Sequence, residues 1–407
     1  MTIINPGIAC LTIRSAPRPA AQAVGWHNGI YLTQVGDNAR TEIEAEIQEF
    51  DCFRGIMRRY SWNDIETDIG EYDGIATHIL PDLVRTAVLG SGVNRKRMII
   101  MLHLRQTSSV SASAALDVVP NWMISNPAYN GGQWTFTNSN PNTPEAGGKM
   151  VCLWDPGVQS RFALCIQAIA DVVTTFTAPD ALGVPYNPVE AIVLSECSIG
   201  GAPFASQPYG ATFPTFYEEK YSEGYYRLCL NLKTSFPNHV TAGFTNFPKM
   251  EVNRMIMGGT FYTGGQSVDG LLVEGIGIGA PNIVKDDPGY DPLRTDGAGN
   301  PGSHAYYDDA HNVVPIMPSW QKPDYVWTRL DLPPNDNNPT GHEPTIEELY
   351  LYTRDELFAN YAILTRTDEG TYWADTKSYF TSSGVKNMIT GGLNSAKPNA
   401  YASINTN

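Results

Sequence analysis

Short apolar runs recur along this chain, and each stops at a polar residue. The clearest is Ala191-Ile-Val-Leu194, which runs into Ser195 and Glu196. Arg97-Met-Ile-Ile-Met-Leu-His-Leu104 is another, ending near His103 and Arg105. Gly29–Gln34, Phe53–Trp62, Val240–Asn246, Asp269–Glu274, Val313–Trp320 and Tyr361–Thr365 complete the series. Uninterrupted apolar runs of this length fit strands covered on both faces, which is the condition of a parallel sheet. Helical patterns lie between them, at Glu42–Phe50, 75–90, 214–235, 249–258 and Thr345–Asn360. In 75–90 the apolar face is Leu80, Leu83, Val84, Ala87 and Val88. Asp155-Pro156 opens a further helix reaching Thr175, with Asp as N-cap and Pro at the first position. Eight strands alternating with helices predict a (β/α)8 TIM barrel rather than an open doubly wound sheet.

The chain has 407 residues, which suits one elaborated barrel. Residues 1–28 read as an N-terminal lead-in, 29–380 as the barrel and 381–407 as a small, polar C-terminal tail. Two stretches break the alternation, 106–150 and 280–345, and read as insertions on the C-terminal rim. The first carries Trp122 and Trp134 and a predicted hairpin around Gly131-Gly132.

Charged residues make up only 17% of the chain, so its polarity comes from Asn, Ser, Thr and Gly. With 8 Trp, 21 Tyr and 14 Phe, that composition suits a neutral, hydroxyl-rich ligand such as a carbohydrate. The net charge of −15 argues against nucleic acid as a partner. No run of about 18 apolar residues predicts a membrane span. The first residues show no basic stretch followed by an apolar one, so no secretory signal is visible and a cytoplasmic or virion-associated setting is expected. The six cysteines form no CxxC pair and read as free buried thiols. No phosphate-binding glycine loop stands at a strand–helix turn, and Gly275-Ile-Gly-Ile-Gly279 reads as tight turns.

Trp62-Asn-Asp-Ile-Glu66-Thr-Asp-Ile-Gly70-Glu-Tyr72-Asp73 follows the second strand. There the chain resembles the clan A type of barrel glycoside hydrolases, which carry Trp-x-x-Ile/Leu-Glu-x-x-x-Gly-x-Tyr/Phe-Asp at this place. Cys152-Leu-Trp-Asp-Pro156, a long helix and a fourth strand ending in Glu196 extend the resemblance over roughly residues 29–275. The resemblance implies Glu196 as acid/base and a second carboxylate as nucleophile. Glu274, at the end of the expected sixth strand, is the candidate. The clan has Asn-Glu at the fourth strand and its nucleophile on the seventh. Ser195-Glu196 and a sixth-strand Glu274 depart from both patterns. A raised-pKa acid and a partner about 5–9.5 Å away are the requirement for glycoside hydrolysis.

Arg58 or Arg59, Trp62, His103, Trp122, Trp134, Asn246 and Trp320 are the candidate substrate contacts. An arginine holds a carboxylate ionised, His and Asn bind hydroxyls, and Trp stacks on sugar faces. His342-Glu343 lacks zincin spacing, the aspartates between Asp286 and Asp309 match no calcium loop, and Ser195 is not in a nucleophile elbow. No metal or cofactor is expected. The rival classes are a non-catalytic carbohydrate-binding barrel and another barrel enzyme, such as a lyase. Within the glycosidase reading, the Asn/Gly/Thr-rich composition suits a phage-borne polysaccharide depolymerase.

Overall fold

The computed structural model describes residues 26–34, 40–108, 111, 115–137, 147–195, 217–244, 260–263, 266–280, 307–320, 344–366 and 371–402. Eight parallel strands close into a barrel. They are β1 Gly29–Gln34, β2 Phe53–Ser61, β3 Arg97–His103, β4 Val189–Leu194, β5 Val240–Phe244, β6 Gly277–Ala280, β7 Ile316–Trp320 and β8 Tyr361–Arg366. Each pairs with its neighbour in the chain. β8 then closes on β1, from Gly29 opposite Tyr361 to Gln34 opposite Arg366. The expected (β/α)8 architecture is the one found.

Successive side chains on a strand point to opposite faces, and here both faces are dry. One alternating set, with Tyr31, Met57, Ile99, Met101, Val193 and Ile363, forms the barrel interior. The other, with Leu32, Ile56, Ile100, Leu102, Ile192 and Leu364, joins the larger core under the helices. The helices are α1 Arg40–Glu49, α2 Leu80–Ala87, α3 Pro156–Val173, α4 Tyr217–Ser235, α5 Ile346–Leu351 and α6 Tyr372–Ser382. α3 starts as the sequence predicts, with Asp155 Oδ1 accepting from the N–H groups of Gly157 and Val158 at 2.7 and 3.1 Å. α2 differs. Its buried residues include Leu83, Thr86 and Ala87, whereas Val84 and Val88 are 41% and 44% exposed. A π-turn at Ile75–Ile79 precedes α2. The buried face includes Asp82, whose carboxylate takes hydrogen bonds from Arg58 and Tyr60 of β2, so it is centred on Asp82, Leu83, Thr86 and Ala87.

The sixth strand is a correction. Asp269–Glu274 is not the strand; residues 271–275 form a turn in which Leu271 and Leu272 are buried and Glu274 is exposed. The strand is Gly277–Ala280, inside the stretch read as tight turns. Glycine alternates there because the barrel interior has no room. A Cβ on Gly279 would stand 2.3 Å from the Phe244 ring.

The 106–150 excursion folds as a three-stranded antiparallel sheet of Arg105–Ser108, Gln133–Thr137 and Gly147–Val151. Its hairpin joins the last two strands rather than centring on Gly131-Gly132. Residues 313–320, placed inside the second insertion, include β7. The lead-in 1–25, the helix expected at 249–258 and most of 280–345 lie outside the described residues. The tail is not idle: Tyr401 is buried and belongs to the interior cluster under the barrel. Four cysteines, Cys52, Cys152, Cys165 and Cys229, are buried free thiols. Among the described residues no helix is long and apolar enough to cross a membrane.

Candidate active site

All eight strands run the same way, so their carboxyl ends share one mouth. Register brings Ser61 of β2 opposite His103 of β3, and Leu102 opposite Leu194 of β4. Met57 and Met101 belong to the interior cluster. Strand alternation therefore turns Arg59, Ser61 and His103 toward the same interior at the mouth. Arg59 is exposed there and His103 is half-buried. Burial, then the positive charges of Arg59 and Arg105, pull the His103 pKa down to about 3. His103 is thus a neutral imidazole at any ordinary pH, able to give one hydrogen bond and accept one.

The end of β4 is tied down. The Ser195 N–H donates to the Leu102 carbonyl at 2.9 Å, and Ser195 Oγ accepts from the Leu104 N–H at 2.9 Å. The Tyr225 hydroxyl donates to the Phe244 carbonyl at 3.1 Å, with the Ser195 carbonyl 3.5 Å away, so it sits between the ends of β4 and β5. The chain therefore enters Glu196 from a fixed point on the rim. Glu196 and Asn246 themselves lie outside the described residues. Ser195→Ala strands the buried Leu104 N–H. It should lower unfolding free energy by about 1–2 kcal/mol in urea titrations.

Several sequence candidates are placed elsewhere. Arg58 is on the outward face of β2, where its Nε donates to Asp82 Oδ2 on α2 at 3.1 Å. Arg59, one residue on, is the arginine that faces the mouth. Trp62 is fully buried, with its ring 4.9 Å from that of Phe162 on α3. Trp320 is 1% exposed, and its indole donates to Thr353 Oγ1 at 2.7 Å. Both are core residues of the layer between barrel and helices, not sugar platforms.

Trp122 is half-buried, with Arg161 over its ring at 5.2 Å and Tyr129 against it edge-on at 5.6 Å. Those contacts fasten the insertion to α3. Trp134 is half-buried on the insertion sheet, stacked with Phe136 at 6.0 Å.

Glu274 sits three residues before β6 begins, at the amino-terminal mouth. A strand length, on the order of 15 Å, separates the two ends of the barrel. That exceeds the about 5–9.5 Å between paired glycosidase carboxylates, so Glu274 is not positioned as a partner for a residue following β4.

The motif after β2 is a clamp. Glu66 is fully buried and accepts from the Trp62 indole at 2.7 Å, from the Gly70 N–H at 2.9 Å and from the Arg161 guanidinium. Gly74 completes it, since a Cβ there would meet the Asp64 carbonyl at 1.9 Å. Trp, Glu, Gly and the second Gly are thus explained by one buried carboxylate and one close backbone approach. The sequence signal for this was present in the motif's spacing.

No protein-family model matches the chain, and no curated protein matches it. Solved structures do. An exo-β-1,4-mannosidase from Opitutaceae bacterium strain TAV5 is 13% identical with a TM-score of 0.41, covering 86% of this chain and 54% of its own. The catalytic domain of a β-amylase from Paenibacillus polymyxa is 9% identical with a TM-score of 0.45, covering 88% and 99%. A β-galactosidase from Rahnella sp. R3 is 12% identical with a TM-score of 0.45, covering 90% and 56%. The chain thus spans about half the length of the mannosidase and the β-galactosidase. By its own strand order the chain is a divergent (β/α)8 barrel, and these structures similar to it are glycosidases.

Proposed function

We propose that the chain is a glycoside hydrolase that cleaves a polysaccharide or oligosaccharide at the carboxyl mouth of the barrel, with Glu196 as its acid/base. The observation that carries this is the fixed end of β4. Ser195 is tied to β3 at the mouth into which Arg59 and His103 face, and the residue that follows it in the sequence is a glutamate. A carboxylic acid there protonates a departing glycosidic oxygen. Arg59 is suited to stabilising a nearby carboxylate in its ionised form, and the neutral His103 to hydrogen-bonding a sugar hydroxyl. The second carboxylate comes from the carboxyl side of another strand, not from Glu274.

One observation favours a non-catalytic carbohydrate-binding barrel instead. The residue before the glutamate, Asn in the clan, is Ser195, and its hydroxyl accepts from the Leu104 N–H. The test is reducing-end release from a panel of neutral and acidic polysaccharides, bacterial capsular polymers included, with binding measured in parallel. Release of new reducing ends supports the hydrolase. Binding without release replaces it with the binding barrel, and neither one rejects both.

A further inference from the structure

At the amino-terminal mouth a buried polar cluster joins the segments around Trp26 and Tyr401 to the barrel. Glu190, 1% exposed, is its centre. It accepts from the His27 N–H at 2.9 Å and the Tyr361 hydroxyl at 2.7 Å, and its other oxygen lies 3.1 Å from His27 Nδ1. Arg97 Nε stands 3.9 Å from the same carboxylate. Trp26 packs its ring against Tyr361 at 5.3 Å and against Tyr401 at 6.4 Å. Tyr401 in turn takes the Thr241 N–H at 3.1 Å, and Lys233 lies over its ring at 3.9 Å. His239 precedes β5, next to Glu190 by the register of Val240 with Ala191. It is 1% exposed, and neither ring nitrogen has a hydrogen-bond partner among the described residues.

We propose that this floor is an acid-operated latch: proton uptake by His239 and His27 releases the segments around Trp26 and Tyr401 while the barrel stays closed. The charge count is the reason. Among the described residues Glu190 is the carboxylate acting on these two imidazoles, and Arg97 opposes their charge at both, Arg54 at His27 as well. His239 decides the balance: an imidazolium there would face the Arg97 guanidinium and have no acceptor among the described residues. A buried charge without a partner is expelled into water. Of the neighbouring phenols, Tyr31 donates to the His27 carbonyl at 2.9 Å and Tyr361 to Glu190, so neither offers a new acceptor.

Burial lowers both histidines, His239 to about 4. The released histidine binds its proton near 6.5, the closed one only near 4. The closed floor is therefore fully stable above 6.5 and loses stability as pH falls toward 4.

The experiment is amide hydrogen exchange on the full chain at pH 7.5 and 4.5, corrected for intrinsic rates. The reporters are the amides of His27, Asn399 and Ala400, with those of Ile99–Leu102 in β3 as reference. Linkage at His239 alone raises opening of the two segments by roughly 70-fold, with β3 protection unchanged. His239→Gln should cut that pH dependence by about tenfold or more, and His27→Gln should reduce it independently. Reporter amides that keep their protection at pH 4.5 overturn the latch. So do β3 amides that open in the same step, which would mean global acid unfolding. Those two outcomes are read from the wild-type chain, whether or not a variant folds. Unchanged pH dependence in both folded variants also overturns it.

Discussion

Glu196→Gln is expected to cut kcat/KM on any polysaccharide the chain hydrolyses by about 10³-fold or more. Glutamine keeps the shape of the side chain and removes both proton transfer and the carboxylate charge. The loss corresponds to about 4 kcal/mol of transition-state stabilisation. The fold should be untouched, since the anchoring of this rim rests on the backbone and hydroxyl of Ser195 and on Tyr225. The informative control is Glu274→Gln. Glu274 is exposed at the opposite mouth, so this change should leave activity within about twofold. Activity above a tenth of wild type in Glu196→Gln, with an unchanged unfolding curve, removes Glu196 from the chemistry. A collapse in Glu274→Gln reverses the placement argued from β6.

Glu66→Ala should be the most damaging single change to stability away from the barrel interior, at about 3–5 kcal/mol. The carboxylate has no exposed surface, while the Arg161 side chain beside it is only 16% exposed. Removing it leaves a largely buried guanidinium without its counter-charge, the Trp62 indole without an acceptor and the Gly70 N–H stranded. The damage should spread outward, because Arg161 also lies over Trp122 of the rim insertion. Urea unfolding with a tryptophan-fluorescence readout measures both the loss and the loosening of the insertion. Glu66→Gln keeps one amide oxygen as acceptor and should fall between alanine and wild type. A loss under about 1 kcal/mol for Glu66→Ala would show that the clamp is ornamental.

Seven of the eight strands were legible because burial on both faces writes an unbroken apolar run into the sequence. β6 was hidden for a physical reason. Phe244 fills the space beside Gly279, and Pro315 and Ala242 that beside Gly277, so glycines replace the branched residues that normally mark a strand. Meanwhile Leu271 and Leu272 are buried in a turn and imitate one. That exchange carried Glu274 from the wrong end of the barrel into the candidate pair. The choice between Arg58 and Arg59 and the faces taken by Trp62 and Trp320 turn on parity. Met57 faces the interior, so the odd positions of β2 do as well, which selects Arg59 over Arg58. Trp62 and Trp320 looked like platforms because they end strands, but ending a strand does not say which face a ring takes. Glu190 went unremarked inside Val189-Glu-Ala-Ile-Val-Leu194, although a carboxylate within an apolar run is itself the signature of a buried, partnered charge.

The proximity of Trp26 and Tyr401 beneath the barrel sets the geometry of any attachment. A reporter carried on the surface beside these two segments is held on the side facing away from the strand carboxyl ends, so it leaves the opening free to meet a large polymer.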